Sequence, residues 1–548
     1  MIRSTSLLVA VLAVSIAAVG QGSKTRTTTA PPTALAIEIA DYAALPITGS
    51  ADGTGNNAGS LARVNVMREE PAPAGRLFVN DLTGPLYILD KATKKAITYL
   101  DFNGRGSRPG LFDKLTTDAG LASGFISFEF DPDYASNGRF YTIHLEEIAL
   151  PGALTPDNQS VPGLDVRGYT PTAPVPTPGA TNHEGVLIEW TDSNSANTTF
   201  EGTARELLRI PLNDRIHPLG DVTFNPTARR GDRDWRVLYV ACGDGGSGDQ
   251  RTGIRTNPQR LDTLVGKVLR VIPDLAAHAA DSVVSENGRY RVPKDNPFTS
   301  VAGARPEIWA YGLRNPHRLT WNVNPADPAK PSLIAAVIGW RTWETVVIIH
   351  KGGNYGYPAR EGAELLDGDR VLAALPQPDV LPVLVNGVIT NGVVAPTYPV
   401  LRYGHGSAGG DAIAGGAVYR GKQIPRLVGT YIFGDISTGR MWYADFDRML
   451  AADDGVATTL AEIHELRIWW DDPGDSPDRG KQPYPTMAPI VTAGYHARGG
   501  KDPDLPGSAA VAGSGRVDLR FATDRAGELY VLSKSDGMIR LVSRLGPV

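Results

Sequence analysis

The chain has 548 residues and a net charge of −5, with 54 basic and 59 acidic residues well mixed along its length. It encodes no clustered basic face of the kind that binds nucleic acid, and its lone cysteine, Cys242, excludes internal disulfides, thiolate zinc clusters and a c-type haem motif. The 61 glycines and 42 prolines suit many short strands joined by turns.

Residues 1–20 have the form of a secretory signal. Arg3 supplies the positive start, residues 7–19 are apolar but too short to span a bilayer, and Ala18-Val19-Gly20 is a small-residue cleavage site. This predicts a secreted or periplasmic protein that begins near Gln21 and has no transmembrane segment. Residues 21–60, rich in Thr, Ala, Pro and Gly, read as a flexible leader that a late strand pins.

From Arg76 onward, short apolar runs alternate with Gly, Asp, Asn and Pro, as in "RLFVNDLTGPLYIL", "SGFISFEFDPDY", "RVLYVACGDGG" and "GELYVLSKSDGMIRLV". Several share one grammar: an aromatic-aliphatic strand, a Gly/Asp turn, a second strand. Such degenerate repetition over residues 61–548 predicts an all-β propeller, because radial repetition protects sheet edges. Residues 151–182, rich in Pro and Thr, read as a surface insertion, and 257–268 and 445–452 as the two short helical stretches.

Five segments carry candidate chemistry. His217, in "RIHPLGDVTFNP", opens a strand at a turn; His suits proton abstraction near neutral pH, although a lone loop His more often bonds backbone. "EIWAYGLRNPHRLTW" delivers Arg314 and Asn315 just before Pro316, which biases Asn315 toward extended backbone. A guanidinium in such apolar company needs a planar, electron-rich partner: a carboxylate, a carbonyl or an anionic cofactor. Arg420 and Arg440 each follow glycine turns and, taken singly, read as structural. "GDGGSGDQ" lacks the carboxylate spacing of an EF-hand and reads as a turn.

Taken together, the order of "SGFISFEFDPDYASNGRFY", "HPLGDVTF", "LYVACGDGG", "VPKDNPF", "EIWAYGLRNP", "GWRTWETVVIIHKGGNYGYP", "AIAGGAVYRG", "YIFGDISTGRMW" and "ELYVLSKSDG" resembles the soluble quinoprotein glucose and sorbosone dehydrogenase family. The pair "YGLRNP" and "KGGNYGYP" is the specific part. The resemblance implies a six-bladed β-propeller and a sugar dehydrogenase that uses pyrroloquinoline quinone (PQQ) and calcium. It further implies His217 as general base, Arg314 as a catalytic group that also contacts the quinone, and Asn315, Arg420 and Arg516 as further cofactor contacts. The carbonyls of Gly339 and Trp340 become calcium ligands by register. A sugar substrate and an external electron acceptor follow as partners.

The chain departs from the family pattern. Ile216 precedes the histidine where Asp or Asn is usual, and Ser123 stands where Gln is usual. The family's Arg-x-Arg-Asp clamp on the quinone carboxylates reads here "SGRVDLRF", leaving Arg516 and Asp518, and the acidic residue expected after "LYVL" gives way to Ser533-Lys534. Losing charge-paired donors weakens the grip on a carboxylate-bearing cofactor. The alternative is a non-catalytic propeller that binds glycan or protein partners; a metal-dependent hydrolase would need a channel carboxylate cluster that the sequence does not assemble.

Overall fold

The computed structural model describes residues 34–49, 59–71, 75–117, 123–367, 372–472, 480–509 and 513–548. They lie in a unit running from Ala34 to Val548 and are mostly strand and turn, so the all-β expectation holds. Nine strands set the frame: β1 (Leu35–Ala44), β2 (Val64–Glu69), β3 (Phe125–Phe130), β4 (Leu219–Phe224), β5 (Asn315–Asn322), β6 (Ile413–Val418), β7 (His464–Trp470), β8 (Leu519–Thr523) and β9 (Met538–Leu545). Each of β2, β3, β4 and β5 starts its own sheet. Strands β6 and β8 start a four-stranded and a three-stranded run of a single nine-stranded sheet, and β1 joins those runs by pairing parallel with β7 and antiparallel with β9. The starting strands neighbour one another in a closed cycle, β2 to β3, β4, β5, β6, β8 and back to β2.

Strand β1 lies inside the segment read as a leader and is a strand of the kind expected to pin it. Leu35, Ile37 and Ile39 are all buried, because the strand fills the gap between β7 and β9. The signal sequence and residues 21–33 lie outside the described residues. The 151–182 insertion is not merely superficial: Val161, Leu164 and Tyr169 join an aromatic cluster around Trp190, Phe102 and Phe125, the last two stacked at 4.0 Å. Of the two expected helical stretches, Phe446–Ala451 is a helix, capped by Asp445, which accepts from the Arg448 amide. The other is a 3₁₀ run, Gly253–Gln259, followed by a strand from Lys267; Pro258, with no amide to donate, keeps it short.

Five of the six starting strands carry a bulge near their first residues, at Val64/Val66, Phe125/Ser127, Leu219/Asp221, Pro316/Arg318 and Ile413/Gly415. A bulge leaves one residue out of the ladder and re-aims its neighbours. Here it frees main-chain oxygens for side chains from other strands. Arg318 of β5 donates to the carbonyls of Gly220 (3.2 Å), His317 (2.9 Å) and Asn65 (3.1 Å), and to Asn65 Oδ1 (2.8 Å). Arg520 of β8 donates to the same Oδ1 at 2.9 Å, while Asn65 Nδ2 donates to the Ile126 carbonyl at 2.6 Å. One asparagine thus joins β2 to β3, β5 and β8.

Further along the same strands, Arg68 donates to Asp221 and to the Phe128 and Val222 carbonyls, and pairs with Glu129. Beyond this polar plug, toward the ends of β2–β5, a cavity of about 660 Å³ opens between Arg68, Glu129, Trp235, Trp321 and Phe521.

Asn65→Ala should leave the two guanidinium groups short of their shared acceptor and destabilise the protein by about 3 kcal/mol. Urea denaturation measures this, and Asn65→Asp, which keeps the acceptor, should lose less.

Candidate active site

His217 sits in the turn before β4 with φ of 51°, a left-handed conformation uncommon for a side-chain-bearing residue. The turn is held from behind by the "GDGGSGDQ" loop. A Cβ on Gly243 would come within 2.3 Å of the His217 carbonyl oxygen, so only glycine allows this approach. The Gly245 amide donates to the same oxygen at 3.1 Å. His217 Nδ1 lies 2.6 Å from Asp244 Oδ1. A carboxylate there fixes the proton on Nδ1 and leaves Nε2 as the acceptor. Asp244, fully buried, is itself steadied by the amides of Gly246 and Gly248, both at 2.9 Å.

The same loop delivers a second carboxylate. Asp249 ends the short 3₁₀ turn Ser247–Asp249 and takes Arg314 in a two-pronged pair, Nε at 2.9 Å and Nη2 at 2.7 Å. Tyr357 donates its hydroxyl to Asp249 at 2.5 Å. Burial alone would raise the Asp249 pKa, but the hydrogen bonds and charge of Arg314 outweigh it and hold the carboxyl below its ordinary range. Burial would likewise lower the Arg314 pKa, and Asp249 reverses that. The two pairs are joined: the Asp244 amide donates to the Arg314 carbonyl at 2.8 Å.

Arg314 has one more partner, and it bears on calcium. Its Nη1 donates to the Gly339 carbonyl at 2.6 Å. The loop presenting that carbonyl is held by Glu361, whose Oε1 receives the amides of Trp340 (3.0 Å), Arg341 (2.7 Å), Thr342 (2.8 Å) and Trp343 (3.2 Å). The Trp340 ring meanwhile packs under Arg255. Main-chain oxygens at such a turn suit a hard cation, but here a guanidinium already holds Gly339. That carbonyl keeps a second lone pair, so a calcium ion at Gly339 and Trp340 would share the Gly339 oxygen with the Arg314 guanidinium. Three potential ligand atoms of His217, Asp244 and Asp249 do lie within 4.8 Å of one another, yet both carboxylates are already committed, to His217 and to Arg314.

The expected site residues divide. His217, Arg314, Asn315 and Gly339 gather around the Asp244–Asp249 loop, and all but Gly339 are nearly buried. Arg516 and Asp518 precede β8 as Arg314 precedes β5, and Arg516 donates to Asp518 at 3.0 Å. Arg420 is elsewhere. It follows the far end of β6 and donates to Asn322 Oδ1 at 2.7 Å, at the end of β5 remote from Arg314. Seven residues of strand put it about 23 Å away. The expectation of a shared cofactor contact at Arg420 is corrected by that geometry: a residue after a starting strand cannot face the end that precedes it. The sequence reading missed Asp244, Asp249 and Tyr357. The signal for the two carboxylates was the "GDGGSGDQ" loop, rightly read as a turn but not as the source of partners for His217 and Arg314, and Tyr357 lies in "KGGNYGYP", read as an aromatic hairpin.

A profile of the family described as Glucose / Sorbosone dehydrogenase matches residues 67–386, more than half of the chain. The chain belongs to this family. The HIPL2 protein of Arabidopsis thaliana is 30% identical over 400 residues, 69% of this chain and 51% of that protein. The Hedgehog-interacting protein of Homo sapiens is 24% identical over 373 residues, 66% of this chain and 41% of that protein. The chain thus spans about half the length, or less, of these curated relatives. Among solved structures, the PQQ-bound form of the aldose sugar dehydrogenase from Streptomyces coelicolor is similar with a TM-score of 0.48 at 16% identity, over 93% of this chain and 98% of that chain.

Breaking the buried pair should be costly. Asp249→Asn is expected to destabilise the protein by about 3–5 kcal/mol at neutral pH, since it leaves Arg314 buried and uncompensated. Because the folded pKa of Asp249 is depressed, its contribution is present above the unfolded carboxylate value of about 3.9 and is lost as pH falls through the folded value. Denaturation curves of the two proteins should therefore converge in acid.

Proposed function

We propose that this member of the family is a quinoprotein dehydrogenase that oxidises a sugar of the aldose or sorbosone type, built on a six-bladed propeller. The blade count treats the nine-stranded sheet as two blades fused through β1, which together with the sheets begun by β2, β3, β4 and β5 makes six units around the axis. The observation that carries the function is the coupling of two charge pairs on one glycine loop, His217–Asp244 and Arg314–Asp249, through the Asp244 amide.

The residues divide the work as follows. His217 Nε2 takes the proton from the sugar hydroxyl, and Asp244 holds the ring in the right tautomer and stabilises the imidazolium that forms. PQQ, when bound, supplies the acceptor for the hydride that leaves the sugar carbon. Arg314 keeps a fixed positive charge beside the site and stabilises negative charge that develops there; Asp249 and Tyr357 fix its plane. The chemistry of the donors suits a polycarboxylate such as PQQ: Arg516, Arg520 and Lys534 cluster with one carboxylate, Asp518. An external acceptor then takes the electrons onward, and a sugar substrate fits a protein exported to the periplasm or medium.

One observation favours the second reading, a propeller that binds glycan or protein partners without turnover. Every nitrogen of Arg314 is already engaged, by Asp249 and the Gly339 and Ile338 carbonyls. The dehydrogenase requires that this arginine act as a fixed charge.

PQQ-loaded protein should oxidise an aldose with an artificial electron acceptor. His217→Ala should keep its fold and PQQ affinity and lower kcat by about 10²–10⁴-fold. Full turnover by His217→Ala would remove the base assignment, and absence of turnover by the PQQ-loaded wild type would favour the binding propeller.

A further inference from the structure

The hairpin that follows β8 carries a lysine whose surroundings are unusual. Lys534 opens the turn before β9, its own amide held by the Asp518 carbonyl at 3.2 Å. It is 3% exposed, and among the described residues its ammonium makes neither a hydrogen bond nor an ion pair. Buried charges are normally paired. Its charged neighbours are Arg520, Arg63, Arg516 and a single carboxylate, Asp518, which Arg516 already engages. Arg520 commits Nε to Asn65 and Nη1 to the Leu519 carbonyl, and among the described residues Nη2 has no hydrogen-bond partner. His317, at the β5 bulge two residues after Asn315, has a buried Nε2 with no hydrogen-bond partner among the described residues.

This positive cluster belongs to the same end of the axis as Arg314 and Asn315. Burial first, then the charges of Arg318, Arg520 and Lys534, push the His317 pKa well down, so the fields of β5 and of the Lys534 turn overlap. Burial and Arg520 do the same to Lys534. Cations outnumber carboxylates, and what is missing is an anion.

We infer that Lys534, together with Arg520, is a seat for ligand carboxylates, and that it restores the clamp that "SGRVDLRF" lacks. Relative to the family pattern two signs are exchanged: Asp518 stands where the second arginine of Arg-x-Arg-Asp is expected, and Lys534 stands where an acidic residue is expected after "LYVL". The lysine returns across the turn the charge that position 518 gives up. This rests on the quinoprotein reading for the identity of the ligand, but not for its chemistry. A quinone tricarboxylate and a simple tricarboxylate such as citrate both present what the seat would hold.

The test is calorimetric titration of the full chain with PQQ and with its uncharged trimethyl ester, alongside thermal melting with citrate, for wild type, Lys534→Met and Lys534→Arg. Wild type should bind PQQ at least about tenfold more tightly than the ester, and Lys534→Met should lose about tenfold for PQQ but nothing for the ester. Lys534→Arg should retain binding. Equal affinity of wild type for PQQ and ester, or unchanged PQQ affinity in a folded Lys534→Met, overturns the seat and leaves the quinoprotein reading standing. If wild type binds no PQQ but citrate raises its Tm and not that of Lys534→Met, the seat stands and the quinoprotein reading falls. If neither PQQ nor citrate has an effect on wild type, both fall. Should Lys534→Met not fold, the comparison of PQQ with its ester on wild type decides alone.

Discussion

The structure turns on how it keeps two guanidinium groups, Arg318 and Arg520, on its axis. Neither has a carboxylate in salt-bridge contact among the described residues; both converge instead on the single oxygen Asn65 Oδ1 and on main-chain carbonyls. Burial holds their pKa values down, to about 10 for Arg318 and about 9 for Arg520. A buried charge without an opposite charge is tolerated only when dense hydrogen bonding replaces its water. The bulges supply that bonding, because each frees a carbonyl that a regular ladder would have used. The same device that gathers the starting strands therefore also leaves the axis electropositive.

That field gives the candidate site its division of labour. Negative charge is supplied locally by one loop, and each carboxylate is assigned: Asp244 to the histidine, Asp249 to the arginine. Glycines 243 and 248 make this possible. A Cβ at Gly248 would lie 2.3 Å from the Tyr357 ring, and one at Gly243 would strike His217. With those carboxylates committed, the carboxylate beside Lys534 and Arg520 is Asp518, which Arg516 already engages. A site of this kind favours an anionic ligand on the axis and a neutral hydroxyl beside His217, which is the pairing a polycarboxylate cofactor and a sugar present.

The sequence disclosed the large outlines for physical reasons. Alternating apolar runs and Gly/Asp turns force strands, and "YGLRNP" with "KGGNYGYP" marks a turn geometry that few other sequences share. His217 and Arg314 read singly as structural residues, and the ordered family motifs are what mark them as site residues. The partners themselves were not visible, because Asp244 and Asp249 sit in a stretch whose turn propensity explains it fully without them. Arg420 was misplaced because a motif match carries no information about which end of a strand a residue occupies. A strand late in the leader was expected, but its partners were not legible, since the pairing of β1 with β7 and β9 joins residues more than four hundred positions apart. Lys534 was noticed only as a lost acid; its role depends on Asp518, which only the folded turn brings beside it.

The central claim is that His217 and Arg314 serve one hydride-transfer site. The most direct measurement is single-turnover reduction of the PQQ-loaded protein by an aldose carrying deuterium at the carbon to be oxidised. The account predicts quinone reduction that is slower with the deuterated sugar than with the ordinary one, and slower again in His217→Ala. Quinone reduction that does not occur, or that is indifferent both to deuterium and to the loss of His217, would contradict it.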